Sequence, residues 1–438
     1  MLKAQKNLYY TKSDDEQLIF DKLSFHSARL YNSCLFNIRQ YFFSNNAYLP
    51  FKMQYHQIKD NENFKLLIND SSQQILRMVD KSFRSFFALL NMKKRGKYSA
   101  PIHIPHYLKK DKGWHIYIAG RSCRVKNNLI YIGLSKLFKE TYHIEQRDIT
   151  LPLPKNIIGK KIHQVQISPN KDKSFSYIVV YEDNIKQIND LDDDKVLSID
   201  VGTNNLFTCY DSFNNSSFII DGRYIKSVNQ FFNKKLTKLQ SKYMNSDIKW
   251  NETKKFFNIS NRRNNKINEC FNLAVKHIID YCIKNKIGKL IIGDFSGSKN
   301  ETELNKKAAQ NFVQIPHYKL KMKLKSKCEE YGIKYILIEE SYTSKSCAYN
   351  LDEIPTYKED DETKYEFSGY REKRGLYKVK GAKIRYNADV NGAINIYRKY
   401  RINVSKKRDL SLEIVRAAST SHPKRHRLMD KQAAKSLA

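Results

Sequence analysis

The chain has 438 residues; Lys and Arg outnumber Asp and Glu by 79 to 45, a formal net charge of +34, and 12% of the residues are aromatic. So large a basic excess does not suit an enzyme of small metabolites and implies a polyanionic partner bound through phosphate contacts with steep salt dependence. No apolar run approaches the roughly 18 residues of a spanning helix, MLKAQKNLYY has no signal-peptide core, and the seven cysteines form no CxxC, so no membrane is expected and a reducing, cytoplasmic setting is.

Residues 1–10 read as a strand, and apolar positions at helical spacing, among them Leu18, Leu23, Leu30, Leu35 and Ile38, predict a helix over 14–45. A second helix is predicted at 71–92, with Ser71 and Ser72 as its N-cap and Ile75, Leu76, Val79, Phe83 and Phe87 on its apolar face. Its other face carries Arg77, Lys81 and Arg84; these are either a solvated face or a nucleic-acid face, and the net charge favours the second. Strands are predicted at 101–106, 114–119, 128–133, 161–168 and 175–181, with Arg121 and Arg124 on a turn between them. Strands on both sides of the helices predict an N-terminal β-barrel with a helical insertion at about 12–95, in a domain of residues 1–190. The acidic stretch 190–194 reads as a linker.

The string VLSIDVGTNNL at 196–206 reads as an apolar strand ending near Asp200, then a turn at Gly202 and Asn204–Asn205, then a second strand. Asp200 is either a turn cap or an acid that needs a cation, a metal ion being the obvious one. A long helical region follows at 223–287, carrying Arg262, Arg263 and Lys266, with Asn264–Asn265 as the point where it bends or breaks. KLII leads to Gly293–Asp294; a loop at 296–310, a helix at 316–331, a strand at 334–338 and the acid pair Glu339–Glu340 come next. NADVNGAINI at 387–396 starts a helix running to about 400, and the basic tail 401–438 reads as partly disordered or RNA-associated.

Acids thus fall at strand ends or a helix start in one α/β unit: Asp200, the 293–294 or 339–340 region, and Asp389. Three carboxylates at one sheet edge are what phosphodiester hydrolysis by two Mg²⁺ ions requires, because hard oxygen ligands hold ions about 4 Å apart, one activating water and one steadying the leaving oxygen.

SIDVGTNNLFT resembles the first RuvC motif, and NADVNGAINI the third, of the TnpB nucleases, relatives of the type V CRISPR effectors and of Fanzor. QNFVQIPHYKL, EESYTSKS and FSGYREKRGLY resemble one branch of that group. The resemblance covers residues 196–400; the N-terminal half shares only the order and character of the family's wedge and recognition domains. It implies a multidomain α+β chain whose C-terminal RNase H-like (RuvC) α/β domain, residues 191–400, holds Mg²⁺. It also implies a guide RNA made from a transposon end, a double-stranded DNA target cut beside a short flanking motif, and a prokaryotic cell in which the protein joins the nucleoid when on target.

Two departures matter. The family's second RuvC motif has Glu at a strand end, where KLIIGDF has Gly293. Asp294 is a poor replacement because neighbouring strand side chains point to opposite faces. Some relatives supply the acid from a later strand, here Glu339–Glu340, of which Glu340 is favoured. The expected metal ligands are therefore Asp200, Glu340 and Asp389, with Glu339 and Asp294 as the alternatives. Second, Cys347 stands alone where the family has a zinc ribbon, so four ligands cannot be assembled and no zinc is expected. An insert at 348–386 takes that place, its Arg371 and Arg374 either contacting nucleic acid or merely solvated. The reading is an RNA-guided DNA endonuclease; the alternatives are a guided DNA-binding repressor that does not cut and an RNase H-like transposase acting without RNA.

Overall fold

Ser13 accepts a hydrogen bond from the Glu16 backbone N–H, and three acids fill the first turn of the helix it caps, Asp14–Asn45. Both features stabilise a helix N-terminus. The computed structural model describes residues 1–96, 98–109, 113–186, 188, 190–294, 315–356, 363–420 and 422–428. The chain divides into two units, Met1–Asn184 and Ile185–Ala438.

In the first unit, strand β1 (Leu2–Tyr9) precedes helices α1 (Asp14–Asn45), α2 (Phe51–Ile58), α3 (Glu62–Leu66) and α4 (Asn69–Lys94). Helix α4 starts before Ser71 and Ser72, with Ile68 at its cap position. The Ser72 hydroxyl donates instead to the Phe64 carbonyl at 2.8 Å, tying α4 to α3. Then come β2 (Ile116–Ala119), β3 (Cys123–Lys126), β4 (Leu129–Gly133), α5 (Lys136–Tyr142), β5 (Asp148–Pro152), β6 (Ile162–Pro169) and β7 (Phe175–Glu182).

The expected barrel is not what these strands make: among the described residues they form an open sheet of order β1-β7-β6-β2 and a separate sheet of order β3-β4-β5. At Gly120 the chain turns from one sheet to the other so close to β6 that a Cβ would lie 1.9 Å from the Ile162 carbonyl oxygen. Residues 101–106, expected as a strand, pair with nothing in a ladder. Pro101 and Pro105 lack the N–H a ladder needs. Just beyond them Asn32 brackets Leu108, donating to its carbonyl at 2.9 Å and accepting from its N–H at 2.8 Å.

The second unit is built on β8 (Asp192–Val201), β9 (Asn205–Asp211), β10 (Ser216–Asp221), α6 (Arg223–Lys242), α7 (Lys254–Lys284), β11 (Ile287–Asp294), α8 (His317–Tyr331) and β12 (Lys334–Glu339). The small sheet β13 (Gly369–Lys373), β14 (Leu376–Val379) and β15 (Arg385–Asn387) follows, then α9 (Ala388–Asn403), α10 (Leu412–Thr420) and β16 (Lys424–Arg427). The main sheet has the order β12-β11-β8-β9-β10-β16. Strands β8, β11 and β12 run parallel, so their carboxyl ends share one edge. Leu197, Ile199 and Ile292 face the core that contains Phe271, Ile278 and Leu320. Val196, Ile291 and Ile338 face Val390, Ala393, Ile394 and Val415.

Three sequence expectations change here. The helical break falls at 243–253, because the Thr253 hydroxyl caps α7 by accepting from the Phe256 N–H at 3.2 Å; Asn264 and Asn265 lie inside α7. Asp192, Asp193 and Asp194 belong to β8 and not to a linker. The tail, expected to be partly disordered, contributes α10 and the sheet strand β16. The expected loop at 296–310 lies outside the described residues.

Helix α9 buries Arg398 to 1% exposure, its Nη2 donating to Asp409 at 2.7 Å and its Nη1 to Asn395 at 2.8 Å. Removing one partner of a buried ion pair leaves an uncompensated charge. Asp409→Ala is therefore expected to lower unfolding free energy by about 3 kcal/mol in urea titration. Lys407→Ala, which breaks only an exposed pair with Asp194, should leave the urea midpoint where it is.

Candidate active site

Along β8, Ser198 and Asp200 share the face turned toward α9. The Ser198 hydroxyl donates to the Ala393 carbonyl at 2.7 Å, and a Cβ on Gly392 would come within 2.8 Å of Asp200 Oδ2. Gly392 thus lets the helix press directly on the acid. Asp389 stands in the first turn of α9, whose cap, Asn387, accepts from the N–H groups of Asp389 at 2.9 Å and Val390 at 3.1 Å. Asp389 Oδ2 accepts from Asn205 Nδ2 at 2.6 Å, and its Oδ1 from Arg371 at 3.1 Å.

Glu340 follows β12 directly. A Cβ built on Gly293 would lie 2.2 Å from Glu340 Oε2. The glutamate carboxyl therefore fills the space that a side chain at 293 would occupy. Its Oε2 is buried and has no hydrogen-bond partner among the described residues. Burial and the Asp200 charge push the Glu340 pKa up to about 8. Burial, then the Asp389 charge, likewise push Asp200 well above the usual carboxylate range.

The alternatives are placed differently. Glu339 accepts from the buried Lys399 Nζ, and its Oε1 accepts from the Ser341 N–H at 2.6 Å. Burial works against the charged form, yet these bonds hold the Glu339 carboxyl below its usual range. Asp294 lies 3.5 Å from Lys321 Nζ, which donates to the Gly293 carbonyl at 2.6 Å.

Among the described residues, no three His, Cys, Asp or Glu side chains are grouped closely enough to hold a metal ion as they stand. Arg371 and Asn205 hold the two oxygens of Asp389. The donor set still fits a hard divalent cation: the acids are all carboxylates, Glu340 Oε2 has no proton donor among the described residues, and their mutual repulsion is what a cation relieves.

Arg371 comes from the hairpin β13–β14, and Arg374 of the same hairpin reaches Thr203 Oγ1 at 3.5 Å. The hairpin's root is held by amides. Asn391 Nδ2 donates to the Ser346 carbonyl at 2.8 Å, and Asn391 Oδ1 accepts from the Tyr386 hydroxyl at 2.6 Å. Cys347 is buried beside that hydroxyl. Asn395 Nδ2 donates to the Ser346 carbonyl at 2.7 Å. Sequence reasoning missed Asn205, Asn391 and Asn395, although all three lie inside the quoted motifs; buried amides at helical spacing four apart in NADVNGAINI were the available signal.

The other expected nucleic-acid residues divide by engagement. Arg77, Lys81 and Arg84 line the exposed face of α4, with Arg77 over the Phe51 ring and Arg84 paired to Asp80. Arg121 is paired to Asp70 and Arg124 to Asp148. Arg262 is exposed, Lys266 is half-buried, and Arg263 braces α7 to α6 by donating to Asn229 at 2.9 Å.

Residues 177–299 match the OrfB_IS605 family, described as a probable transposase, and residues 317–396 match the Cas12f1-like TNB domain. Among solved structures, the fold is similar to that in the cryo-EM structure of the Cas12f1-sgRNA-target DNA complex, with a TM-score of 0.55 and 16% identity over 88% of this chain and 83% of that one. The class is thus a multidomain α+β protein whose fold is similar to that of Cas12f1. By sequence the chain is similar to the TnpB-like protein ORF457 of Acidianus two-tailed virus, 25% identical over 416 residues, 85% of this chain and 81% of that protein. Among the described residues no helix is long and apolar enough to cross a membrane.

Glu340 binds its proton up to about pH 8 in the folded chain against an ordinary value of 4.5. Between those values the folded state holds a proton that the unfolded state has lost, so stability falls as pH rises through that window. Without divalent ions, Glu340→Gln should melt with the wild type near pH 5 but above it by about 2 °C or more near pH 8. Equal melting temperatures at both pH values would contradict this placement of Glu340.

Proposed function

We propose that the chain is an RNA-guided endonuclease that cuts double-stranded DNA beside a short flanking motif by Mg²⁺-dependent phosphodiester hydrolysis. The likeness to TnpB-like and Cas12f1-like sequences supports a nuclease with RNA and DNA partners. The observation that carries the reading is the Glu340 carboxyl standing over Gly293, beside Asp200, at the shared carboxyl edge of β8, β11 and β12. The strand order of the main sheet supports an RNase H-like (RuvC) domain built on residues 191–400, with β16 of the tail added at the sheet edge.

Asp200, Glu340 and Asp389 would hold two Mg²⁺ ions, which supply water activation and charge neutralisation at the leaving oxygen when bound. The chain's own residues set the geometry. Gly392 and Gly293 bring Asp200 and Glu340 close, and Asn205 orients Asp389. Arg371, exposed at the rim on Asp389, and Arg374 offer planar donors to a backbone phosphate. Guide pairing would read the target sequence, while the protein reads the flanking duplex and heteroduplex shape. Arg77, Lys81 and Arg84 of α4 and Arg262 of α7, all exposed, would meet backbone phosphates.

A second reading, a guided DNA-binding repressor that does not cut, draws on the Arg371–Asp389 ion pair. The match to a probable transposase family keeps a third, a transposase acting without RNA.

With RNA that co-purifies and a plasmid carrying the matching target, Asp200→Ala and Asp389→Ala are expected to abolish cleavage while RNA and target binding persist. Glu340→Ala should do the same, and Gly293→Ala should mimic it, because the added methyl displaces the Glu340 carboxyl. Asp294→Ala should still cut, and Glu339→Ala should chiefly lower stability by stranding the buried Lys399. Cleavage by either aspartate variant, or loss confined to Asp294→Ala, would overturn the assignment; a wild type that binds target without cutting would favour the repressor, and absence of RNA the transposase.

A further inference from the structure

Asn205 opens β9 opposite Asp221 and is 8% exposed. Its amide can serve Asp389 in only one of two orientations. With Nδ2 toward the acid it donates at 2.6 Å; turned over, it would set oxygen against oxygen. The choice is made from the tail of the chain. Arg425 Nη1 donates to Asn205 Oδ1 at 2.7 Å, and a guanidinium, which has no acceptor, cannot be satisfied by an amide nitrogen.

Arg425 is itself seated from two sides. Strand β16 runs parallel to β10 with Arg425 opposite Ile219, and Arg425 Nη1 lies 3.4 Å from Asp221 Oδ2, an acid also held by Arg223. The next residue, His426, packs its ring 4.3 Å from that of His277 and edge-on to Phe218 at 5.8 Å. The strand is therefore an integral edge of the sheet, and its arginine ends a chain of hydrogen bonds running Arg425 to Asn205 to Asp389.

We propose that Arg425 is a positioning residue for the nuclease site: the C-terminal strand orients the Asn205 amide, and the amide sets the plane of the Asp389 carboxylate. This rests on the reading of Asp389 as a metal ligand. Hydrogen-bond partners of ligating side chains typically govern metal affinity or activity by ten- to hundredfold.

The test titrates Mn²⁺ alone into the full-length chain freed of nucleic acid, read by water-proton relaxation, beside cleavage by the RNA-loaded protein. Arg425→Ala should raise the Mn²⁺ midpoint about tenfold and slow cleavage to match, and Arg425→Lys should recover part of both. Asn205→Ala should shift the midpoint as far, and the double variant no further. Arg427→Ala, an exposed neighbour on the same strand, should leave the midpoint unchanged. If Asp389→Ala weakens Mn²⁺ binding but Arg425→Ala does not, the inference falls and the site stands. Additive effects of Arg425→Ala and Asn205→Ala, or an equal loss in Arg427→Ala, would also overturn it, since either marks a merely structural role. If Asp389→Ala itself leaves the titration unchanged, the reading of Asp389 fails and the inference with it.

Discussion

Everything in the second unit depends on how closely α9 lies against the carboxyl edge of the parallel strands. Two glycines permit the approach. Gly392 clears Asp200 from the helix side, and Gly293 clears Glu340 from the strand side. Apolar packing of Val390, Ala393 and Ile394 on Val196, Ile291 and Ile338 supplies the contact. The hydrogen bonds of Asn391 and Asn395 to the carbonyls of Thr343 and Ser346 then fix the turn after Glu340 to the same helix. One helix thereby carries an acid of its own and holds in place the segments that carry the others.

The electrostatics follow from that approach. In a chain so rich in cations, several acids packed into the fold have a basic partner: Asp70 has Arg121, Asp148 has Arg124, Glu339 has Lys399, Asp409 has Arg398 and Asp221 has Arg223. Glu340 differs, with a buried oxygen that no donor among the described residues reaches and a raised pKa. Perturbed carboxyl groups gathered at one edge mark functional positions more often than structural ones. The contrast also separates Glu340 from its neighbour: residue 339 is tied down by Lys399 and residue 340 is left turned toward Asp200.

The hairpin β13–β14 and the strand β16 both act on Asp389, one directly through Arg371 and the other through Asn205. Of the two, β16 has no hydrophobic pattern of its own. KRHR carries no alternation that would suggest a strand, and it becomes one only because β10 offers an open parallel edge. The same reasoning explains the missing barrel in the first unit, where prolines at 101 and 105 withhold ladder donors and Gly120 turns the chain onto a second sheet.

Sequence alone set the expectation of a polyanionic partner, from a net charge of +34, and singled out the two acids whose neighbours resemble family motifs, Asp200 in SIDVG and Asp389 in NADVN. It also determined that position 293 could not supply an acid, because glycine has no side chain. The family resemblance pointed to Glu339–Glu340 for the third acid, and period-two alternation lets only one of the pair face Asp200, with Glu340 favoured. The tertiary structure sets the two apart, with Lys399 on Glu339 and the vacated Cβ position of Gly293 under Glu340. It also joins the basic tail to the sheet and links an arginine and an asparagine 220 residues apart in one run of hydrogen bonds to Asp389. Such pairings depend on which strand edges and amide faces meet in space, and no local pattern of side chains encodes that.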